Sequence, residues 1–385
     1  MEPVFYNSFS LLYGPLLLTQ ICRRWRDVAI STPRIWTTIA FAESGSDLSQ
    51  PSPNLVDLWM TRSRQLPLRI YIQEIKRSGM MHKAILRLSH YSRRWQELYI
   101  ASPNLSQWKR FHAFRSRLPL LRFLVLRSWY EPSRALLRPE DGDLDLFSDA
   151  PLLTEVNISA SPGFLASIVF PFTPLTRATF TRISLFAFLD FLAKAPQLEK
   201  CRIVCCLTED TPLTLPQCPP CPQLRSFMLK TAVNGCCELL FPYLEFPNLN
   251  TFIVQMYQSS HFASDELPYF IRRTKNLEFF ALDAVNISEE TLVKCLIDHP
   301  PLLHVHWTIS EADFEKTLSR LRADQGLPSS SILKQHLMYH NPGSSPACIS
   351  TFLHRYPVGP IFPVFPRLNM EADSEPHSSV AVIQT

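Results

Sequence analysis

The chain has 385 residues, 46 % of them hydrophobic and 19 % charged, with 33 prolines against nine glycines, where average usage is about 7 % glycine and about 5 % proline. That length buries more than one ordinary domain's core, and the scattered glycines form no G-x-G-x-x-G or G-x-x-x-x-G-K-[ST] loop to cradle a phosphate, which disfavours nucleotide-dependent chemistry. The net charge of +4 hides an asymmetry, because residues 1–138 carry 21 Lys/Arg against 8 Asp/Glu (+13) and the remainder 17 against 26 (−9).

In chain order, the first patterned segment runs from Gly14 to about Ser31. Leu17, Ile21, Trp25 and Val28 fall on one helical face with Leu18, Cys22 and Ala29 beside them, while Arg23, Arg24, Arg26 and Asp27 face outwards, so the spacing predicts a short amphipathic helix. Ser31-Thr-Pro33 stops it and restarts a turn that presents Ile35 and Trp36. From the pattern alone this is a helical cap closing the first edge of a larger body. The apolar stretch Leu11–Leu18 does not read as a secretory leader, since Glu2 precedes it and the arginines come after it with no small-residue cleavage site. The longest apolar run, Phe164 to Phe172, is far short of the roughly 18–20 residues of a membrane span. The adjacent pairs Cys205-Cys206 and Cys236-Cys237 sit among apolar residues in a chain that needs no staples, so reduced thiols and a cytoplasmic or nuclear location are expected.

Next comes a repeat. An apolar residue, two others, then apolar-x-apolar recurs with its first residue at Trp95, Leu121, Leu153, Leu175, Leu198, Leu224, Leu249, Leu277 and Leu302. The intervals are 26, 32, 22, 23, 26, 25, 28 and 25 residues, near the roughly 20–29 of a leucine-rich repeat. The closing apolar-x-apolar triplet predicts a short strand with two large residues on one face; stacked copies build a parallel sheet, and intervening segments such as Ile183, Phe186, Phe188, Leu189 and Leu192 have the spacing of covering helices. Pro119, Pro151, Pro174, Pro196, Pro222, Pro247 and Pro300 precede these phrases and read as marks of strand entry. The expected fold is therefore α/β, a leucine-rich-repeat solenoid of parallel strands with outer helices. It is divided into a helical region at 1–42, degenerate repeats at 50–320 and a largely irregular or disordered extension at 321–385.

The N-terminal phrase closely resembles the second half of the F-box in the large fungal family of F-box-like proteins, roughly L-x-x-V-C-x-x-W-R-x-x-A-x-x-x-P-x-L-W. Leu18, Ile21, Cys22, Trp25, Arg26, Ala29, Pro33, Ile35 and Trp36 carry the match over about 25 residues. Leu58-Trp-Met-Thr-Arg62-Ser63, leading to Leu66-Pro-Leu68-Arg-Ile70, and His90-Tyr-Ser92-Arg-Arg94-Trp95-Gln-Glu-Leu98 look like the same family's continuation. The opening Leu-Pro-x-Glu-Ile/Leu helix of an F-box has no recognisable counterpart in Met1-Glu-Pro-Val-Phe-Tyr-Asn. The resemblance implies a substrate receptor that docks a Skp-type adaptor of a cullin–RING ubiquitin ligase. Carried over by position, the adaptor-binding residues are Leu17, Leu18, Ile21, Cys22 and Trp25.

In a repeat sheet the residues flanking the buried pair of each strand line the concave face. That register selects Phe123, Arg127, Arg177, Lys200, Arg202, Met228, Lys230, Phe279, His304 and His306 as partner-binding candidates, a basic ladder with aromatic and Met side chains suited to an acidic protein or peptide. Cys218-Pro-Pro-Cys221 has no second C-x-x-C, and His304-x-His306 no third ligand at a suitable spacing, so no metal or other cofactor is expected. No H-E-x-x-H or G-x-S-x-G occurs, and the expected function is non-enzymatic. The alternatives are a repeat scaffold without a ligase link and, behind it, a nucleic-acid binder that uses the basic first third with Trp59, Trp95, Trp108, Tyr91 and Tyr99.

Overall fold

The computed structural model describes residues 7–9, 11, 14–41, 52–73, 79–101, 117–127, 145–159, 168–207, 220–231, 236–256, 261–262, 266–283, 286–287, 291, 294–295, 304–307 and 337–338. The candidate Cys218 and most of the segment 321–385 lie outside them.

Each of the nine phrases lies on a strand: β3 (Trp95–Ala101), β4 (Phe123–Arg127), β5 (Glu155–Ser159), β6 (Arg177–Ser184), β7 (Lys200–Leu207), β8 (Ser226–Thr231), β9 (Thr251–Met256), β11 (Phe279–Asp283) and β13 (His304–Trp307). Two earlier strands, β1 (Thr38–Phe41) and β2 (Leu68–Gln73), and a final β14 (Leu337–Met338) extend them into a twelve-stranded sheet in the order β1-β2-β3-β4-β5-β6-β7-β8-β9-β11-β13-β14. Neighbours pair parallel throughout. The short strands β10 (His261–Phe262) and β12 (Asn286–Ile287) pair separately. Parallel strands in sequence order, one per repeat, are the topology of a leucine-rich-repeat solenoid. The sheet thus starts at Thr38, inside the segment 1–42 expected to be helical, and its last described strand lies beyond residue 320.

The register comes from one recurring hydrogen-bond pattern. In the repeats from β5 to β11, two successive amides donate to a single carbonyl of the repeat before: Thr154 and Glu155 to Arg122, Arg177 and its predecessor to Thr154, Lys200 and its predecessor to Thr176, Ser226 and its predecessor to Glu199, and so on to Phe279, at 2.8–3.1 Å. This satisfies backbone groups where the chain turns into the strand. The prolines act just upstream of that point. Leu121, Leu153, Leu198, Leu224 and Leu249 donate their amides three residues back, to Leu118, Ala150, Ala195, Cys221 and Phe246. Pro119, Pro151, Pro196, Pro222 and Pro247 therefore stand at the second position of a four-residue turn, where a fixed φ is pre-set. They mark the turn before the strand rather than the strand's own first residue.

Inward-facing side chains stack by register. Leu121, Leu153, Leu175, Leu198, Leu224, Leu249 and Leu277 are all 0–1 % exposed. Phe227, Phe252 and Phe280 stack nearly parallel at 5.9 and 5.7 Å. Outer helices close this face: α3 (Pro53–Ser63) and α4 (Gly79–Ser89) early, then α5 (Leu185–Lys194), α6 (Cys236–Leu240) and α7 (Glu266–Arg273). Ser52 Oγ caps α3 by accepting from the Leu55 amide at 3.3 Å, and Ser184 Oγ caps α5 by accepting from Ala187 at 3.2 Å. The family-like phrases are structural joints. Arg94 donates to the Leu66 carbonyl at 3.1 and 2.8 Å and to Ser63 Oγ at 2.8 Å, tying the end of α3 to the turn before β3. Asp57 takes Arg87 Nε at 2.7 Å, joining α3 to α4.

The predicted single helix at 14–31 is two helices, α1 (Gly14–Ile21) and α2 (Arg23–Ser31), broken at Cys22, whose backbone is extended. Thr19 Oγ1 and Gln20 Nε2 both donate to the Leu16 carbonyl, and Arg26 Nε donates to Thr19 O at 2.7 Å. The Arg26 side chain thus takes up the Thr19 carbonyl, which a continuous helix would pair with the Arg23 amide across Cys22. The outer edge of the sheet is closed otherwise. The Ser8 amide donates to Ala40 O at 2.9 Å, and Ser8 Oγ accepts from the Ala40 amide at 2.8 Å.

Candidate functional site

Two surfaces gather the candidate residues. The first is the helix pair α1–α2. Of its apolar side chains, Leu16 and Ala29 point into the core, where Phe9, Trp36 and Trp59 form an aromatic cluster with ring centroids 4.8–5.4 Å apart. The apolar stripe of the sequence points the other way. Leu17, Ile21, Trp25 and Val28 are 39 %, 55 %, 49 % and 50 % exposed, and Ile30 is 44 % exposed. Leu18 is half-buried and Cys22 exposed. Arg23, Arg24, Arg26 and Arg34 are exposed around them with Asp27 as the one described acid on the pair. The stripe does not close the first repeat, which corrects its reading as a simple cap. Trp36 does that work, fully buried with its indole N–H on the Ala29 carbonyl at 2.7 Å and the Arg62 guanidinium 4.4 Å above its ring. Exposed apolar side chains grouped in one element and rimmed by charge mark an interaction site.

The second surface is the sheet face opposite the buried leucines. Phe123, Arg127, Arg177, Lys200, Arg202, Met228, Lys230 and Phe279 are all half-exposed on it, as the alternation predicts. His304 and His306 occupy the corresponding places on β13, paired with Phe279 and Ala281 of β11, and their side chains lie outside the described residues. Pairing resolves the face into three columns. The first runs Arg69, Glu97, Phe123, Glu155, Arg177, Lys200, Ser226, Thr251 and Phe279. The second runs Tyr71, Tyr99, Val125, Asn157, Thr179, Arg202 and Met228, and the third Gln73, Ala101, Arg127, Ser159, Thr181, Val204 and Lys230.

The alternation rule applied to β2 and β3 would have found Tyr71 and Tyr99, which are absent from the candidates that the repeat phrase selects. Their rings lie 6.0 Å apart, and the Arg127 guanidinium sits 5.3 Å from the Tyr99 ring. Burial, and then the Glu97 carboxylate to which its hydroxyl donates, push the Tyr71 pKa up. Glu97 is held by Arg69 at 3.1 Å. Further along, Arg177 stands 3.5 Å from Glu155. Burial still raises the Glu155 pKa, against the pull of Arg177 and Lys200.

Among the described residues no three His, Cys, Asp or Glu side chains converge as a metal site would require. Cys22 and Cys201 are free thiols. Burial pushes the Cys201 thiol well above its ordinary pKa, so it is held neutral as a core residue. Among the described residues no helix is long and apolar enough to cross a membrane.

No family model matches the chain, and no curated protein does. Among solved structures the chain is similar to an internalin from Listeria monocytogenes, at 12 % identity over 75 % of this chain and 92 % of that one, with a TM-score of 0.32.

Proposed function

We propose that this chain is a non-enzymatic protein-interaction module: a substrate receptor whose α1–α2 pair docks a Skp-type adaptor of a cullin–RING ubiquitin ligase, and whose open sheet face holds the target. The observation that carries the reading is the outward stripe Leu17, Ile21, Trp25 and Val28, together 39–55 % exposed. A stripe whose only task was to cap the repeats would be buried against β1. Here the core contacts are made by Leu16, Ala29 and Trp36 instead, which leaves the signature Trp25 for a partner. The exposed arginines around it favour an acidic adaptor surface by steering and by charge complementarity. Catalysis would belong to the ligase subunits, and this chain would contribute proximity.

The test is co-purification of the full chain with a Skp-type adaptor, comparing wild type with Trp25→Ala and Ile21→Asp. Retention by wild type and loss in both variants, each still unfolding in one cooperative urea transition, is the expected result. An adaptor that never co-purifies, or that both variants retain, overturns the ligase role and leaves a repeat scaffold.

A further inference from the structure

We infer that the open face recognises an extended acidic segment through two separated anchors: an apolar side chain seated on the Tyr71, Tyr99 and Arg127 platform, and a run of carboxylates over Lys200, Arg202 and Lys230. The inference rests on the reading of this face as the partner-binding surface and goes further by stating what the partner presents.

The first anchor is organised before anything binds. Tyr71 and Tyr99 are neighbours in one column, and Arg127 covers the Tyr99 ring from the adjacent strand. The Tyr71 hydroxyl is committed to Glu97 and Glu97 to Arg69. Half-exposed Tyr and Arg side chains fixed this way lose little freedom on contact, and these residue types dominate binding energy at interfaces. The second anchor is electrostatic. On β5 to β9 the described charged side chains of this face are Arg177, Lys200, Arg202 and Lys230 against Glu155, a net +3.

These cations do not surround a point. Lys200 lies in the first column, Arg202 in the second and Lys230 in the third, one strand on, so they form a diagonal. That arrangement suits several carboxylates in succession better than one phosphate. Between the anchors, Asn157, Ser159, Thr179 and Thr181 present short polar side chains over which a backbone can lie close. From β3 to β7 is four strand steps, about 19 Å at about 4.8 Å each, which an extended chain spans in about six residues.

The test uses the purified full chain and fluorescent synthetic peptides in an anisotropy titration. The matched probe carries one Leu or Phe about six residues from a Glu-Asp-Glu run; the others lack the apolar residue, shorten the spacing to about two residues, or replace the acidic run with one phosphoserine. The matched probe should bind about tenfold tighter than the rest, a full decade in Kd. Tyr99→Ala should remove that advantage and Tyr99→Phe restore it, while Arg202→Gln with Lys230→Gln should weaken every acidic probe and flatten the salt dependence. Each variant is checked for an unchanged urea midpoint. Indifference to spacing or to the apolar residue, absence of binding to any probe at low salt, or tighter binding of the phosphoserine peptide or of a mixed single-stranded RNA each overturns the inference. If instead Phe186→Ser and Tyr269→Ser, exposed on the helix side, weaken binding while the open-face variants do not, the open-face reading itself falls.

Discussion

Two tryptophans of one sequence signature, eleven residues apart, should lose very different amounts of stability on truncation. A tryptophan presents on the order of 200 Å². At about 25 cal/mol per Å² the fully buried Trp36 is worth about 5 kcal/mol, and its indole hydrogen bond to the Ala29 carbonyl about 1 kcal/mol more. Trp25 is 49 % exposed, so the same arithmetic gives at most about 2.5 kcal/mol, an upper bound because the unfolded chain already hides part of that area. Alanine's better helix propensity returns about 0.5 kcal/mol. Trp36→Ala is therefore expected to cost about 4–6 kcal/mol and Trp25→Ala about 2 kcal/mol or less, a gap readable as a shift in urea midpoint at constant slope. Equal losses for the two variants, or a Trp25→Ala loss exceeding that of Trp36→Ala, would mean that Trp25 is a core residue, and the exposed-stripe argument would fail with it.

Three further outcomes rest on particular contacts. Because burial raises the folded-state pKa of Glu155, ionising it opposes folding. Its contribution is lost as pH rises from the ordinary carboxylate range through that raised value, and Glu155→Gln should remove this part of the pH dependence in urea titrations across the acid range. Arg94→Lys keeps the charge but loses the fork that grips Leu66 O and Ser63 Oγ together; a loss of about 1.5–3 kcal/mol in chemical denaturation is expected. Ser8→Ala removes the side-chain acceptor for the Ala40 amide on the outermost strand. It should cost about 0.5–1.5 kcal/mol and raise self-association in light scattering, since an uncovered strand edge pairs with other chains.

The nine repeat strands were legible because each phrase places its large residues two apart and its first leucine at a turn, a pattern only a stacked sheet satisfies at that spacing. The half-exposed ladder from Phe123 to Phe279 came from alternation. Tyr71 escaped because β2 lacks the repeat's leading leucine phrase, and Tyr99 although its position between Leu98 and Ile100 gave the signal, since its phrase opens on Trp95 where the later ones open on leucine. The outward aim of Leu17, Ile21, Trp25 and Val28 was not legible, since an apolar stripe has the same spacing whether it faces a core or a partner. At the break at Cys22 the Arg26 guanidinium claims the Thr19 carbonyl, a competition that periodicity does not record.

The shared carbonyl that recurs from Arg122 to Asn250, accepting two amides from the next repeat, lets the chain tolerate change in length. Register is set in a few residues between turn and strand, so a neighbour is located chiefly by that short address. The spacings of 22 to 32 residues are then differences in cargo carried between fixed points. A foreign loop inserted after a strand and before the next proline turn should leave every column of the open face in place, whereas one residue added between Leu224 and Ser226 would move every side chain of β8 to the wrong face.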